Sequence, residues 1–351
     1  MEKTKTLKVR VKDKHAKQLR KMAGAVNFVW NYINELSSRS IREHRGFLSA
    51  YDIHKYTTGA NKELDLHSQT LQCVAKEYVK ARKQFKKSRL NWRKTKGVRR
   101  SLGWIPVNTN ASRWKNGQIY HNGNCFGVWD SFGLSNYKFR TASFNEDARG
   151  RWYFNVVVSV KPEQSTGTSS VGIDLGCKEA ATDSNGSGVT GRNYRAFEQK
   201  LALAQRAKNK ARTKAIHAKI KNKRKDELHK YSRKLVSENA AIFVGNVKSA
   251  AIAKTKLAKS ALDAGWHMLK TMLEYKCDHA GVVFEELNEK YTTQTCSYCK
   301  EISDSSPKGR AGLGIREWVC KCGAVLNRDV NAARNILALG HERLAGGIPF
   351  L

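Results

Sequence analysis

The hexapeptide Val171-Gly-Ile-Asp-Leu-Gly176 sets an aspartate inside an apolar strand. Residues able to bury on both faces belong in the middle of a sheet covered on both sides, so the chain should contain an α/β layer. A carboxylate buried there without a partner costs several kcal/mol. Asp174 therefore needs cations, and two divalent metal ions meet that need. The small neighbours Gly172 and Gly176 leave room for a metal or substrate to approach.

A second acid stands in a different setting. Asn327-Arg-Asp329-Val-Asn-Ala-Ala-Arg-Asn-Ile begins a helical pattern, and Asp329 sits at its start. Helix capping explains an aspartate there, and capping and metal ligation are compatible. Just upstream lie Cys296-Ser-Tyr-Cys299 and Cys320-Lys-Cys322, separated by 20 residues. Paired knuckles supply four thiolates at tetrahedral angles, so Cys296, Cys299, Cys320 and Cys322 are read as a closed, structural zinc site. The second pair, C-x-C, is tighter than the usual C-x-x-C. Cys73, Cys125, Cys177 and Cys277 are scattered and read as small buried hydrophobes.

Charge narrows the partners. Lys and Arg total 65 against 30 Asp and Glu, a net charge of +35, which calls for a polyanion. Nucleic acid is the expected one. No apolar run approaches the roughly 18 to 20 residues of a spanning helix. The opening Met1-Glu-Lys-Thr-Lys-Thr lacks a signal-peptide core, so a cytoplasmic location, beside prokaryotic nucleoid DNA, is expected and no membrane partner.

Along the chain, Leu7, Val9 and Val11 alternate with Lys8 and Arg10, which predicts a strand over 6–11. Leu19, Met22, Ala23, Val26, Val29, Trp30 and Ile33 make a helical stripe. A second helix follows Ser68 as N-cap, with Leu71, Val74, Ala75, Tyr78, Ala81 and Phe85 inward. Its outer face and extension, Lys80 to Arg100, carry Lys and Arg with almost no acid and are expected to contact nucleic acid. From 101 to 161, short strands with Asn-Gly turns predict a small β-barrel that the first strand completes, interrupted by the helices. Trp104, Trp114 and Tyr120 fit its core better than base stacking. Pro162–Ser170 reads as a linker. Residues 194–239 predict a basic helical hairpin with Leu201, Leu203, Ile216, Ile220, Leu228 and Leu235 as sparse apolar positions. A buried strand at 242–244, a helix over 249–276 that includes Ile252, Leu257, Leu262 and Tyr275, and a strand at 281–287 follow. His217, His229 and His267 are read as ordinary helix residues and Asp263 as structural.

Val171-Gly-Ile-Asp-Leu-Gly, Tyr291-Thr-Thr-Gln-Thr-Cys-Ser-Tyr-Cys and Asn327-Arg-Asp-Val-Asn-Ala-Ala-Arg-Asn-Ile, in this order, resemble the TnpB family, the transposon-encoded relatives of the type V CRISPR effectors. The likeness is strong over 168–340 and looser before, where only the order of elements agrees. It implies an RNase H-like, RuvC-type nuclease domain (168–290 and 326–351) with an inserted zinc finger (291–325). It also implies a wedge β-barrel (1–13 and 98–162) with a helical recognition insert (14–97). The implied activity is two-metal, magnesium-dependent cleavage of double-stranded DNA beside a short motif. The implied guide is an RNA from the transposon end, bound by a monomer.

The family's acidic triad is Asp, Glu, Asp. Asp174 and Asp329 match the first and third, but Gly245 stands where the glutamate is expected. The next strand offers Glu285, Glu286 and Glu289, and Glu289 is the choice; Glu285 and Glu286 alternate in facing, so one of them should meet solvent. In the implied scheme Asp174 bridges both ions while Glu289 and Asp329 each hold one. Three rival readings remain at this stage: a guide-loaded repressor that no longer cuts, a type V CRISPR-like effector and a transposase proper.

Overall fold

A computed structural model describes residues 2–247, 258–309 and 311–346. The chain divides into two units, Met1–Lys161 and Pro162–Leu351.

The first unit is built on a seven-stranded antiparallel sheet. Its strands are β1 (Lys3–Val11), β2 (Trp104–Val107), β3 (Ser112–Lys115), β4 (Gln118–His121), β5 (Asn124–Trp129), β6 (Phe139–Glu146) and β7 (Trp152–Val160), in the order β2-β6-β7-β1-β5-β4-β3. Period-2 patterning decides which face is inward: Leu7, Val9 and Val11 of β1 and Trp152, Phe154, Val156 and Val158 of β7 are buried. Asn116-Gly117 and Asn122-Gly123 all have positive φ, the geometry of tight hairpin turns between β3, β4 and β5. The sheet is a half-barrel, open between β2 and β3, rather than the closed barrel expected. Pro106 has no N–H to extend pairing at the β2 edge, and Thr70 Oγ1 donates to its carbonyl at 3.0 Å.

Four helices, α1 (Ala16–Arg42), α2 (Ala50–Thr57), α3 (Ala60–Leu64) and α4 (Ser68–Phe85), share one continuous core with this sheet. The α1 stripe is buried as its spacing predicts, with Trp30 half-buried and edge-on to Tyr78 and Trp104. Three expectations fail here. His67, not Ser68, caps α4, because its ring nitrogen accepts the Gln69 N–H. Phe85 is exposed, as is Cys125. The basic tract is also partly structural. Arg82 is buried, Arg93 donates to Asn27 and to the Leu102 carbonyl, and Arg100 forks onto Glu146.

The second unit holds a five-stranded sheet in the order β10-β9-β8-β11-β12. Its strands are β8 (Ser169–Asp174), β9 (Glu179–Asp183), β10 (Gly188–Thr190), β11 (Asn239–Gly245) and β12 (Val283–Leu287). The first three run antiparallel, whereas β11 lies parallel to both β8 and β12. The helices are α5 (Glu198–Arg206), α6 (Lys210–Glu238), α7 (Ala258–Ala264), α8 (Trp266–Ala280) and α9 (Arg328–Ala345), and a hairpin of β13 (Glu317–Val319) and β14 (Val325–Asn327) precedes α9.

Val171 and Ile173 join one core with Leu228, Tyr231 and Leu235 of α6 and Leu269 and Leu273 of α8. On the other face Gly172 lies directly under α9, where a Cβ would overlap the Ala333 carbonyl and Leu337. Alternation then puts Asp174 on the α9 side of the sheet. Several boundary expectations shift. Ser169 and Ser170 of the expected linker begin β8, and Ser165 is hydrogen-bonded to Ala280 and Val236. The expected long helix is divided by Gly265 at φ 73° into α7 and α8, with Leu262 and Tyr275 exposed, while Ile252 and Leu257 lie outside the described residues. Leu203 of the basic hairpin is exposed as well. No helix among the described residues is long and apolar enough to cross a membrane.

Candidate metal centres

Strand β8 ends at Asp174, which is buried and stands opposite Thr182 of β9. Burial pushes its carboxyl up to about 8; the charges of Asp329 and Glu289 push the same way, and Arg328 and Arg316 pull against them. The three acids chosen from sequence thus bear on one another electrostatically, although they come from β8, the chain leaving β12, and the first turn of α9.

Glu289 is positioned by the β11–β12 pair. Gly245 and Leu287 are partners in that register, and the Asn246 N–H donates to the Leu287 carbonyl at 2.9 Å. Glu289 then turns back over β11: a Cβ at position 245 would overlap its Oε2. That oxygen is buried with no hydrogen-bond partner among the described residues, and burial pushes the carboxyl up. The glycine at 245 thus vacates the space that the Glu289 carboxylate fills. The other two candidates are engaged elsewhere, Glu285 with Arg343 and Glu286, more exposed, with Lys270.

Asp329 does not cap α9. Asn327 does, its Oδ1 accepting the N–H groups of Asp329 and Val330. The freed Asp329 carboxylate accepts from Arg316 Nη1 at 2.6 Å and has Arg328 Nε at 3.6 Å. Arg316 was not legible in the sequence. Its place follows from the β13–β14 register, which pairs Glu317 with Asn327 and lets the Arg328 N–H donate to the Arg316 carbonyl.

The four cysteines are gathered far more tightly. Their Sγ atoms all lie within 4.8 Å of one another, with Cys296–Cys322 at 3.8 Å and Cys299–Cys320 at 3.6 Å. Zinc–sulfur bonds of about 2.3 Å at tetrahedral angles require edges of about 3.8 Å, so the donor set fits zinc. The backbone N–H of Cys322 and the neighbouring thiols hold the Cys320 thiol down at about 7. Among the described residues this is the only cluster of three or more such side chains at ligand distance. The acidic trio is not drawn together to that degree, and Asp329 is held by Arg316. Its all-oxygen donors, with Glu289 Oε2 buried and unpartnered among the described residues, suit a hard divalent cation.

Two asparagines of the Asn331-Ala-Ala-Arg-Asn335 segment join the centres. Both side-chain amides donate to the carbonyls of Thr292 and Thr295, and Asn331 Oδ1 accepts the Ser297 N–H. The cysteine knuckle is thereby fastened to the helix that carries Asp329. On the opposite side the Trp266 indole N–H donates to the Gly176 carbonyl, steadying the turn after Asp174. Asp263 accepts from Arg224 and from the Tyr194 N–H, a structural engagement.

Residues 266–336 match the family model of the Cas12f1-like TNB domain. A Streptomyces pristinaespiralis protein with the provisional name RNA-guided DNA endonuclease is 30% identical over 361 residues, covering 95% of this chain and 88% of that one. InsQ of Escherichia coli K12, under the same provisional name, is 30% identical over 234 residues, 56% of each chain. The fold is that of the protein in the Cas12f1–sgRNA–target DNA complex, with a TM-score of 0.59 at 13% identity over 95% of this chain and 98% of that one. With a 30% identical relative matched along nearly its whole length, the chain belongs to the TnpB family.

Proposed function

We propose that this protein is an RNA-guided DNA endonuclease whose cleavage centre consists of Asp174, Glu289 and Asp329 in a RuvC-type, RNase H-like domain. The observation that carries this reading is the buried Asp174 carboxylate under the charges of Asp329 and Glu289, with Glu289 Oε2 itself buried and without a hydrogen-bond partner among the described residues. Such a concentration of carboxylate is unfavourable without cations, and the relatives' provisional names supply the reaction class. Asp174, Glu289 and Asp329 would hold magnesium, which when bound activates water and stabilises the leaving oxygen of a phosphodiester. Arg316 and Arg328 bring positive charge to the same carboxylates, and Arg316 must yield or share Asp329 when metal enters. Cys296, Cys299, Cys320 and Cys322 would hold a structural zinc.

The finer assignments belong to the same reading. The first unit would comprise a wedge barrel (1–13, 98–162) and a helical recognition part (14–97). The second would comprise the nuclease domain (168–290, 326–351) and a zinc finger (291–325). The partners are a guide RNA from the transposon end and duplex DNA bearing a short adjacent motif, met by a monomer in the cytoplasm. The exposed lysines of α6 would grip nucleic-acid backbone.

The test is plasmid cleavage in magnesium by the protein co-expressed with the RNA transcribed beside its gene, with Asp174→Ala and Glu289→Ala in parallel. Cutting lost in both variants supports the assignment. Cutting that survives Glu289→Ala refutes the relocated glutamate, and guide-dependent binding without cutting by the wild-type protein would make this a programmable repressor.

A further inference from the structure

Apart from both metal centres, the first unit contains a buried cation without a counter-anion. Arg82 is 5% exposed, and its guanidinium donates only to neutral oxygens, Ser37 Oγ at 2.7 Å and the Leu48 carbonyl at 2.9 Å. No carboxylate pairs with it among the described residues, and burial works against its charge. Arg82 helps line a cavity of about 370 Å³ with Phe47, Lys83, Lys86, Lys87 and Ser88. Four cations, one hydroxyl and one aromatic ring meet there, with no acid.

The local backbone brings these groups together. Helix α4 ends at Lys86 in the left-handed region, φ 50°, and the Lys87 N–H returns to the Arg82 carbonyl at 3.2 Å. That turn folds Lys86 and Lys87 back over Arg82 and Lys83. Lysines at a helix C-terminus complement the helix dipole, and that would account for them if they stood alone. It does not account for a charge buried among them. Phe47 lies with one face on the Arg82 guanidinium, 4.7 Å from ring centre to Cζ, yet remains 64% exposed, so its other face is open.

We propose that this cavity receives one unstacked nucleotide of a single strand, its base on the open face of Phe47 and its phosphate among Arg82, Lys83, Lys86 and Lys87. An aromatic platform beside a cationic groove is the chemistry that binds a single strand, because every base presents a π-face and every linkage a negative charge. A cavity of this size takes a single nucleotide, whereas a base inside a duplex has both faces covered by its stacked neighbours. RNA and DNA share this chemistry, and the experiment separates them.

The full chain carrying Asp174→Ala, which removes cleavage from the readout, is irradiated with short single strands bearing one iodouracil, as RNA and as DNA, and the adducts are mapped. Binding of single strands and duplex is measured alongside for Phe47→Ala, Phe47→Trp and a Lys86→Ala/Lys87→Ala double variant, in salt high enough to suppress contacts to backbone alone. The expected result is an adduct on Phe47 and a roughly tenfold loss of single-strand affinity in Phe47→Ala that Phe47→Trp restores, with duplex binding unchanged. The double variant should flatten the salt dependence by roughly 0.7 per lysine. Whichever strand type gives the adduct identifies the source. Absence of an adduct on Phe47, or equal weakening of duplex and single strand by Phe47→Ala, overturns the proposal. Since nothing here depends on cutting, a failed cleavage assay and a failed pocket are distinguishable.

Discussion

The two centres of the second unit are neighbours through Asn331 and Asn335, yet they are built on opposite terms. The cysteine centre is local: two short knuckles and one hairpin bring four sulfurs to tetrahedral spacing within one stretch of chain. The acidic centre is assembled from β8, the segment after β12, and α9, and its members oppose one another. The sulfurs of one stand at ligand distance; the carboxylates of the other do not. The difference reflects the tasks proposed for them, since a structural ion needs a closed shell and a catalytic one needs an accessible position.

The largest expected effect follows from the closed centre. Cys320→Ala should lose the metal and melt the β13–β14 hairpin, because structural zinc contributes on the order of 10–16 kcal/mol in small zinc modules. Zinc content by atomic absorption and protease sensitivity between Lys300 and Asn327 would report it. A variant that keeps its zinc would show that three sulfurs suffice.

Asp174→Asn should do the reverse to stability. Cleavage disappears, but the metal-free protein melts at a higher temperature than wild type above neutral pH. The native Asp174 carboxyl keeps its proton up to about 8, whereas the unfolded chain releases it near 4. Between those values the native state binds the extra proton, so wild-type stability in chelator falls as pH rises, and the asparagine variant removes that slope. Magnesium should raise the wild-type melting temperature at pH 8 and leave the asparagine variant nearly unmoved. Equal responses of the two would remove Asp174 from the metal site.

A smaller effect tests the packing of Gly245 against Glu289. Gly245→Ala places a methyl where Glu289 Oε2 lies, so cleavage should fall roughly 10- to 100-fold, as when a ligand's support is disturbed, with zinc content untouched. A silent Gly245→Ala would mean that Glu289 has room to stand elsewhere. Smallest is Asn331→Ala, which leaves the Ser297 N–H and the Thr292 and Thr295 carbonyls short of a partner. It should cost about 1–3 kcal/mol and loosen both centres together, read as faster hydrogen exchange at the knuckle and at the start of α9.

Much of this was legible before any fold was known, and the reason is locality. The four thiolates are recognisable because their spacing is the geometry, and the Asp174 strand because an acid in an apolar run breaks its own pattern. Alternation in β1 and β7 and the α1 stripe likewise carry their burial in their period. The choice of Glu289 over Glu285 and Glu286 was made on order along the chain, and no spacing rule could support it.

What depended on residues far apart was not legible. Arg82, Arg93 and Arg100 read as part of one basic face expected to meet nucleic acid, but each has a partner inside the protein at long sequence separation. Arg316 looked like one charge among 65 until strand register set it on Asp329. Residue type and period alone pointed to the strands, the main helices and the four cysteine ligands, whereas the acidic set came with the family resemblance. Tertiary structure decided which charges are used inside the protein, what a side chain at position 245 would meet, and which basic residues surround an open aromatic face. Pairing and exclusion are properties of neighbours in space, and a sequence lists neighbours only along the chain.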